Sequence, residues 1–231
     1  MIDYSIRTSS RARFVRLSVT TRHGVVIVVP RYFDLSKIPQ IIKEKEQWLQ
    51  RAIAKVQQGN IHSASPLVLP EKIHLRSINL EYSVVVQYHT KRKNILSVDC
   101  NVITLFLNTK NKNAGFVLLK RWLQEQGKEI LLPWIRRVSI EYQLPYHSAV
   151  IRNQRTRWGS CSAKKNININ RLLALLPPHL VEYLFIHELC HTKEMNHSKR
   201  YWMLVAQYCP EYRSIDKELK DAASKMVRWV Y

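Results

Sequence analysis

The run His187-Glu188-Leu189-Cys190-His191 constrains this chain more than its length or composition does. The residues around it are apolar: Leu180, Val181, Leu184, Phe185 and Leu189. Pro177-Pro178 opens the stretch, and its apolar residues predict a buried helix running to about Lys193. A helix that buries two imidazoles and a carboxylate without a partner is costly, so the fold must supply one. Residues four apart on an α-helix differ by roughly 40° around the axis and lie one turn apart. His187 and His191 can therefore point at one ion, and H-E-x-x-H on a helix is the spacing of a zinc site. Glu188 lies about 100° further round. That displaces it from the ligand face and suits it to activating the attacking water.

Two ligands leave a tetrahedral ion incomplete. A catalytic site takes three protein ligands and keeps one position open. His197 follows His191 by six residues and is the expected third ligand. The same interval separates the second and third ligands of the metzincin motif, where a glycine makes the turn. Glu194 occupies that place here, so His197 must arrive by a different backbone path or on a following helix. Glu194 is the competing ligand, read as a solvated or supporting acid. His23, His62, His74, His89, His147 and His179 fall in expected strands or loops and are read as surface residues. Cys190 points away from the ligand face and reads as a small buried apolar residue.

The rest of the sequence sets the surroundings. Strands are expected within 12–30, joined at His23-Gly24, then a helix over 36–58 capped by Ser36 and stopped by Gly59. Residues 60–70 read as a loop. Several strands follow over 71–107, with Lys91-Arg92-Lys93-Asn94 as an exposed turn. A helical pattern covers 114–142, interrupted at Pro133. Segments 148–152 and 166–176 look extended, and helices are expected over 199–208 and 214–230. Sheet precedes helix, so the class is α+β. The expected layout is an N-terminal antiparallel-sheet lobe with one helix (1–110) and a C-terminal helical lobe with a small sheet (111–231), or one continuous domain.

Charge and cysteines narrow the partners. The chain has 37 Lys plus Arg against 17 Asp plus Glu, a formal +20. Residues 1–110 carry 17 basic and 7 acidic side chains and 111–231 carry 20 and 10, so the excess is not a basic tail. Such a diffuse field attracts polyanions, nucleic acid among them, or serves solubility alone. Four cysteines without C-x-x-C spacing point to a reducing cytoplasm. The first residues lack the apolar core of a signal peptide, and no apolar run is long enough to span a bilayer.

Several segments together are familiar. Arg157-Trp158-Gly159-Ser160-Cys161-Ser162, Asn168-Ile169-Asn170-Arg171-Leu172, Pro177, the H-E-L-C-H helix, Asn196-His197-Ser198 and Tyr201-Trp202 resemble the YgjP-like metal-dependent hydrolases, relatives of the SprT-like zincins. Arg7, Ser9, Phe14, Arg16-Leu17, Gly24, Pro30, Lys45 and Trp48 look like that family's N-terminal sheet and helix. The resemblance implies a zincin-like lobe, Zn²⁺ on His187, His191 and His197, and Glu188 as general base. It implies that 157–162 packs near the site and that Asn166–Leu172 forms a strand beside the cleft, able to pair with an extended peptide. Lys164-Lys165-Asn166 replaces a glycine-containing turn, and Cys190 stands where a small residue such as Ala is usual.

The expected function is a zinc metallopeptidase acting on protein or peptide. The alternatives are a DNA-associated SprT-type protease and a non-peptidase metal-binding module. Arg155 or Arg157 could stabilise an oxyanion, though Trp158 reads better as core and the arginines as loop or surface residues. Tyr183 and Tyr201 are further candidates that spacing does not separate.

Overall fold

A computed structural model describes residues 2–20, 24–61, 67–90, 93–109, 111, 113–224, 226 and 228–230. His23, the 62–66 part of the expected loop with His62, and the Lys91-Arg92 turn lie outside the described residues. The chain packs as two compact units, Met1–Leu67 and Val68–Tyr231.

In the first unit, β1 (Tyr4–Ser9), β2 (Arg16–Thr20) and β3 (Gly24–Pro30) form a sheet in the order β1-β3-β2. β2 is antiparallel to β3 and β1 is parallel to it, so the sheet is mixed rather than purely antiparallel. β1 escapes a sequence reading because five of its six residues are exposed, which leaves little hydrophobic alternation. Two helices follow, α1 (Ile38–Glu44) and α2 (Glu46–Ile61), after a 3₁₀ turn at Leu35–Lys37. The single expected helix is broken at Lys45, and Gly59 lies inside α2. Asp34 caps the 3₁₀ turn, accepting from the Ser36 amide at 3.0 Å, and Lys37 at the start of α1 makes no side-chain cap bond, so Ser36 is not the cap. Ile27, Val29 and Ile38 form the core, with Val15, Leu17, Phe33 and Ile42 against it.

The second unit starts with β4 (Lys72–Leu75), β5 (Leu80–His89), β6 (Ile95–Asp99) and β7 (Val102–Asn108), in the order β4-β5-β7-β6. The 28-residue helix α3 (Ala114–Glu141) acts as a spine. Its first half places Leu119, Trp122 and Leu123 in one core with Ile103, Leu105 and Leu107 of β7. Its second half places Leu131, Ile135 and Val138 in another core with the H-E-L-C-H helix. Pro133 does not interrupt α3: it faces solvent, while Leu131 and Ile135 on either side are fully buried. Their packing outweighs the lost backbone hydrogen bond.

A small sheet carries one wall of the site. β8 (Ser148–Arg152), β9 (Gly159–Cys161) and β10 (Asn166–Asn170) lie in the order β8-β10-β9. β10, expected at the cleft, runs through the middle of this sheet, and the edge strands are β8 and the three-residue β9. Arg171–Leu175 is a 3₁₀ helix rather than extended. Then come α4 (Pro178–Cys190), α5 (Lys199–Tyr208) and α6 (Tyr212–Ser224), so the last expected helix starts slightly earlier and ends well short of residue 230. Among the described residues, no helix is long and apolar enough to cross a membrane.

Candidate metal centre

α4 is buried on nearly every side. Leu180, Val181, Leu184, Phe185 and Leu189 are each at most 4% exposed. Burying such side chains contributes about 1.5–3 kcal/mol apiece, enough to offset the cost of carrying Glu188 into the core. Pro177 is the N-cap and Pro178 the first residue, where a missing N–H costs little. His191 is the C-cap but keeps helical angles (φ −64°, ψ −15°), so the four-residue spacing from His187 survives the helix end.

After His191 the chain unwinds and returns without a left-handed residue: none from 191 to 198 has positive φ. Amides of Lys193 and Glu194 both donate to the Cys190 carbonyl at 3.0 Å. Ser198 caps α5, its hydroxyl accepting from the Tyr201 amide at 3.3 Å. His197 stands just ahead of that cap, so it reaches the site on the lead-in to a following helix and no glycine is required.

Ring nitrogens of His187, His191 and His197 lie within 4.8 Å of one another, a group that could hold a metal ion. His187 Nε2 and His197 Nε2 are 3.2 Å apart. Two ligands at zinc–nitrogen distance in a tetrahedron stand roughly 3.3 Å apart, so the spacing fits. The Glu194 carboxylate is not in the group. Its backbone carbonyl instead lies 3.1 Å from His191 Nδ1, which fixes the ring and turns Nε2 toward the other two. Burial first, then the neighbouring imidazoles, pushes His187 down to about 3, and burial also lowers His191. Both rings are thus neutral at physiological pH, as metal ligands must be.

Glu188 is 4% exposed, and its Oε2 is buried without a hydrogen-bond partner. Burial pushes the carboxyl up to about 8, opposed by the Arg157 guanidinium. Gly159 of β9 explains how a strand lies against this carboxylate: a Cβ there would sit 2.6 Å from Glu188 Oε1 and 2.8 Å from its Cγ. Asn170 fixes the approach to β9. Its Nδ2 donates to the carbonyls of Gln154 (2.8 Å) and Arg157 (2.9 Å), and its amide donates to the Trp158 carbonyl (2.8 Å). Trp158 is half-buried and donates Nε1–H to the Leu219 carbonyl, while Arg155 and Arg157 are exposed.

The aromatic residues hold the three imidazoles. Tyr201, fully buried, donates its hydroxyl to the His187 carbonyl at 3.0 Å and stacks on His191 with centroids 4.4 Å apart. Tyr183 donates to Asp216 at 3.0 Å. Both hydroxyls are engaged away from the cluster. Trp202 stacks on His197 on one side (5.4 Å, 26°) and on Tyr212 on the other (5.2 Å, 16°). Tyr212 is the residue that sequence reasoning missed, while Gly159 and Trp202 lie in segments that carry the resemblance but had no role assigned to them. A glycine inside a strand was the available signal for Gly159. Cys190 is buried, with its thiol pushed up to about 12 by burial, and all four cysteines are free. His74 and His147 are exposed, His179 pairs with Glu218, and neither these nor His89 joins the cluster.

A family model described as "YgjP-like, metallopeptidase domain" matches residues 13–222. Comparison with curated proteins and with solved structures returns no match.

Proposed function

The chain belongs to the YgjP-like metallopeptidase-domain family, and from that premise we propose that it cleaves peptide bonds with Zn²⁺ held by His187, His191 and His197 and with Glu188 as general base. The convergence of three ring nitrogens beside a buried carboxylate whose Oε2 has no hydrogen-bond partner carries this reading. A bound divalent ion supplies a Lewis acid that polarises the scissile carbonyl and acidifies water. Glu188 takes a proton from the attacking water and returns it to the leaving amine nitrogen. Arg157, whose charge acts on Glu188, is the candidate for countering negative charge that develops on the carbonyl oxygen. Among the described residues three candidate ligands converge rather than four, which favours an open, catalytic site over a closed structural one.

Glu188→Gln tests the assignment because it keeps the side chain's shape and leaves all three imidazoles in place. The expected variant binds stoichiometric metal yet loses about 10²–10⁴-fold in turnover of an unfolded protein substrate. Metal content is read by elemental analysis beside the peptidase assay. Undiminished turnover in the variant removes Glu188 from the mechanism. Protein that carries no metal removes the whole reading.

A further inference from the structure

The first unit holds a second surface that the metal cluster does not use. Ser9 of β1 and Pro30 of β3 pair at the same end of two parallel strands, which lie about 4.8 Å apart. Each strand runs directly into a turn: the Ala12 amide donates to Ser9 O at 3.3 Å, and the Phe33 amide to Pro30 O at 3.2 Å. Residues 10–11 and 31–32 therefore stand side by side. β2 begins at the same end, where Arg16 and Arg7 flank Val28 in one row across the sheet.

This end gathers Arg7, Arg11, Arg13, Arg16 and Arg31, all exposed. Between Tyr4 and Asp34 the sequence has no acid before Asp34 itself, and every Lys/Arg position is arginine. The Asp34 carboxylate already accepts from the Ser36 amide (3.0 Å) and hydroxyl (2.7 Å). Two aromatic residues next to these arginines in the chain lie almost wholly in solvent: Phe14, after Arg13, is 82% exposed and Tyr32, after Arg31, is 93% exposed. Their neighbours turn inward. Ala12 is buried, and Val15 and Phe33 pack on the Ile27, Val29 and Ile38 core. Both loops are thus anchored from inside while Phe14 and Tyr32 are held out.

We infer that this end of the first unit binds single-stranded nucleic acid, with bases stacked on Phe14 and Tyr32 and phosphates met by Arg11, Arg13 and Arg31. Every base offers a π-face, so exposed rings on a basic surface suit a single strand whatever its sequence. Guanidinium takes phosphate oxygens in pairs and also stacks on bases, which a lysine ammonium does not. A lipid surface is matched instead by a broad apolar face rimmed with charge. The surface lies outside the metal cluster, so its test is independent of the proposed peptidase activity.

The test titrates the full chain into a labelled oligothymidine or oligouridine of about 15 nucleotides, a length within the range such sites cover, and reads anisotropy at several salt concentrations. Phe14→Ala with Tyr32→Ala weakens binding about tenfold or more and keeps the salt slope. Arg11→Ala, Arg13→Ala and Arg31→Ala together flatten the slope of log K against log salt by about 2. The charge-matched set Arg76→Ala, Arg121→Ala and Arg136→Ala, on the second unit, leaves binding near wild type. Circular dichroism checks that each variant is folded. Ultraviolet crosslinking of the wild-type complex, mapped by mass spectrometry to Phe14 or Tyr32, gives a readout that needs no variant. Unchanged affinity in the aromatic variant, equal loss in the charge-matched control, crosslinks elsewhere only, or binding confined to phosphatidylserine vesicles each overturns the inference.

Discussion

His187 and His191 differ from His197 in what holds them. The first two ride on a helix whose surroundings are core, with Tyr201 hydrogen-bonded to one and stacked on the other. His197 is exposed, lies in the lead-in to α5, and meets Trp202 face to face. Its one ring hydrogen-bond contact is with His187 Nε2, a nitrogen it would share an ion with. One side of the site is fixed by backbone and packing, the other by a stack of rings. A tetrahedral site needs both, but they should fail differently when disturbed.

The rigid side is broken most severely at Gly159. In Gly159→Ala the added Cβ would press on a carboxylate that the core leaves little room to move. Either Glu188 shifts or β9 retreats. A displacement near 1 Å at a catalytic group costs about 10²-fold, so turnover falls by that order. Stability falls by about 1–3 kcal/mol from overpacking. Metal content stays at wild type because no imidazole is touched. Wild-type turnover in this variant would mean that β9 does not position Glu188.

The soft side is broken at Trp202. Without the indole, His197 loses the ring stacked on it and keeps the edge contact with Tyr201, and Tyr212 loses its stacking partner as well. Removing a group that orients a ligand typically costs 10–100-fold in metal affinity. Trp202→Ala is expected in that range by competition with a chelating dye, and Trp202→Phe recovers most of it because a ring remains. Turnover at saturating metal changes less than affinity does, the reverse of Gly159→Ala. Equal affinity in the alanine variant would show the stack to be incidental.

The same contrast explains what the sequence could disclose. The H-E-x-x-H spacing is a local property of one helix, so Glu188 and the two helix-borne histidines could be placed side by side before any fold was known. The class was legible for the same reason: local apolar runs mark β3, β5, β7 and α4, and a helical pattern marks α3. What could not be read depends on non-local packing. β9 has three residues and no periodicity, yet it forms the edge nearest Glu188, while the better-patterned β10 sits in the middle of the sheet. Pro133 predicts a break that burial on both sides prevents. Trp202 and Tyr212 lie on different helices, and only the fold brings their rings together. In the first unit, β1 has almost no buried side chain to announce it.

The smallest effect sharpens the comparison at the other end of β9. The turn from β9 to β10 closes with the Lys165 amide on the Ser162 carbonyl at 2.8 Å and the Ser162 amide on the Asn166 carbonyl at 3.0 Å. Lys165 adopts φ 57°, the left-handed region where a Cβ is unfavourable by roughly 1–2 kcal/mol. Lys165 lies in the Lys164-Lys165-Asn166 stretch that the resemblance sets against a glycine-containing turn, so the strain falls on a residue that carries a Cβ. Lys165→Gly removes that strain but gives the unfolded chain more freedom, which returns about 0.5–1 kcal/mol. The net expectation is a gain of about 0.5 kcal/mol in denaturant unfolding, with metal affinity and turnover unchanged. A loss of turnover would place the turn itself in the catalytic geometry, and the rigid side of the site would then extend along β9 to the hairpin.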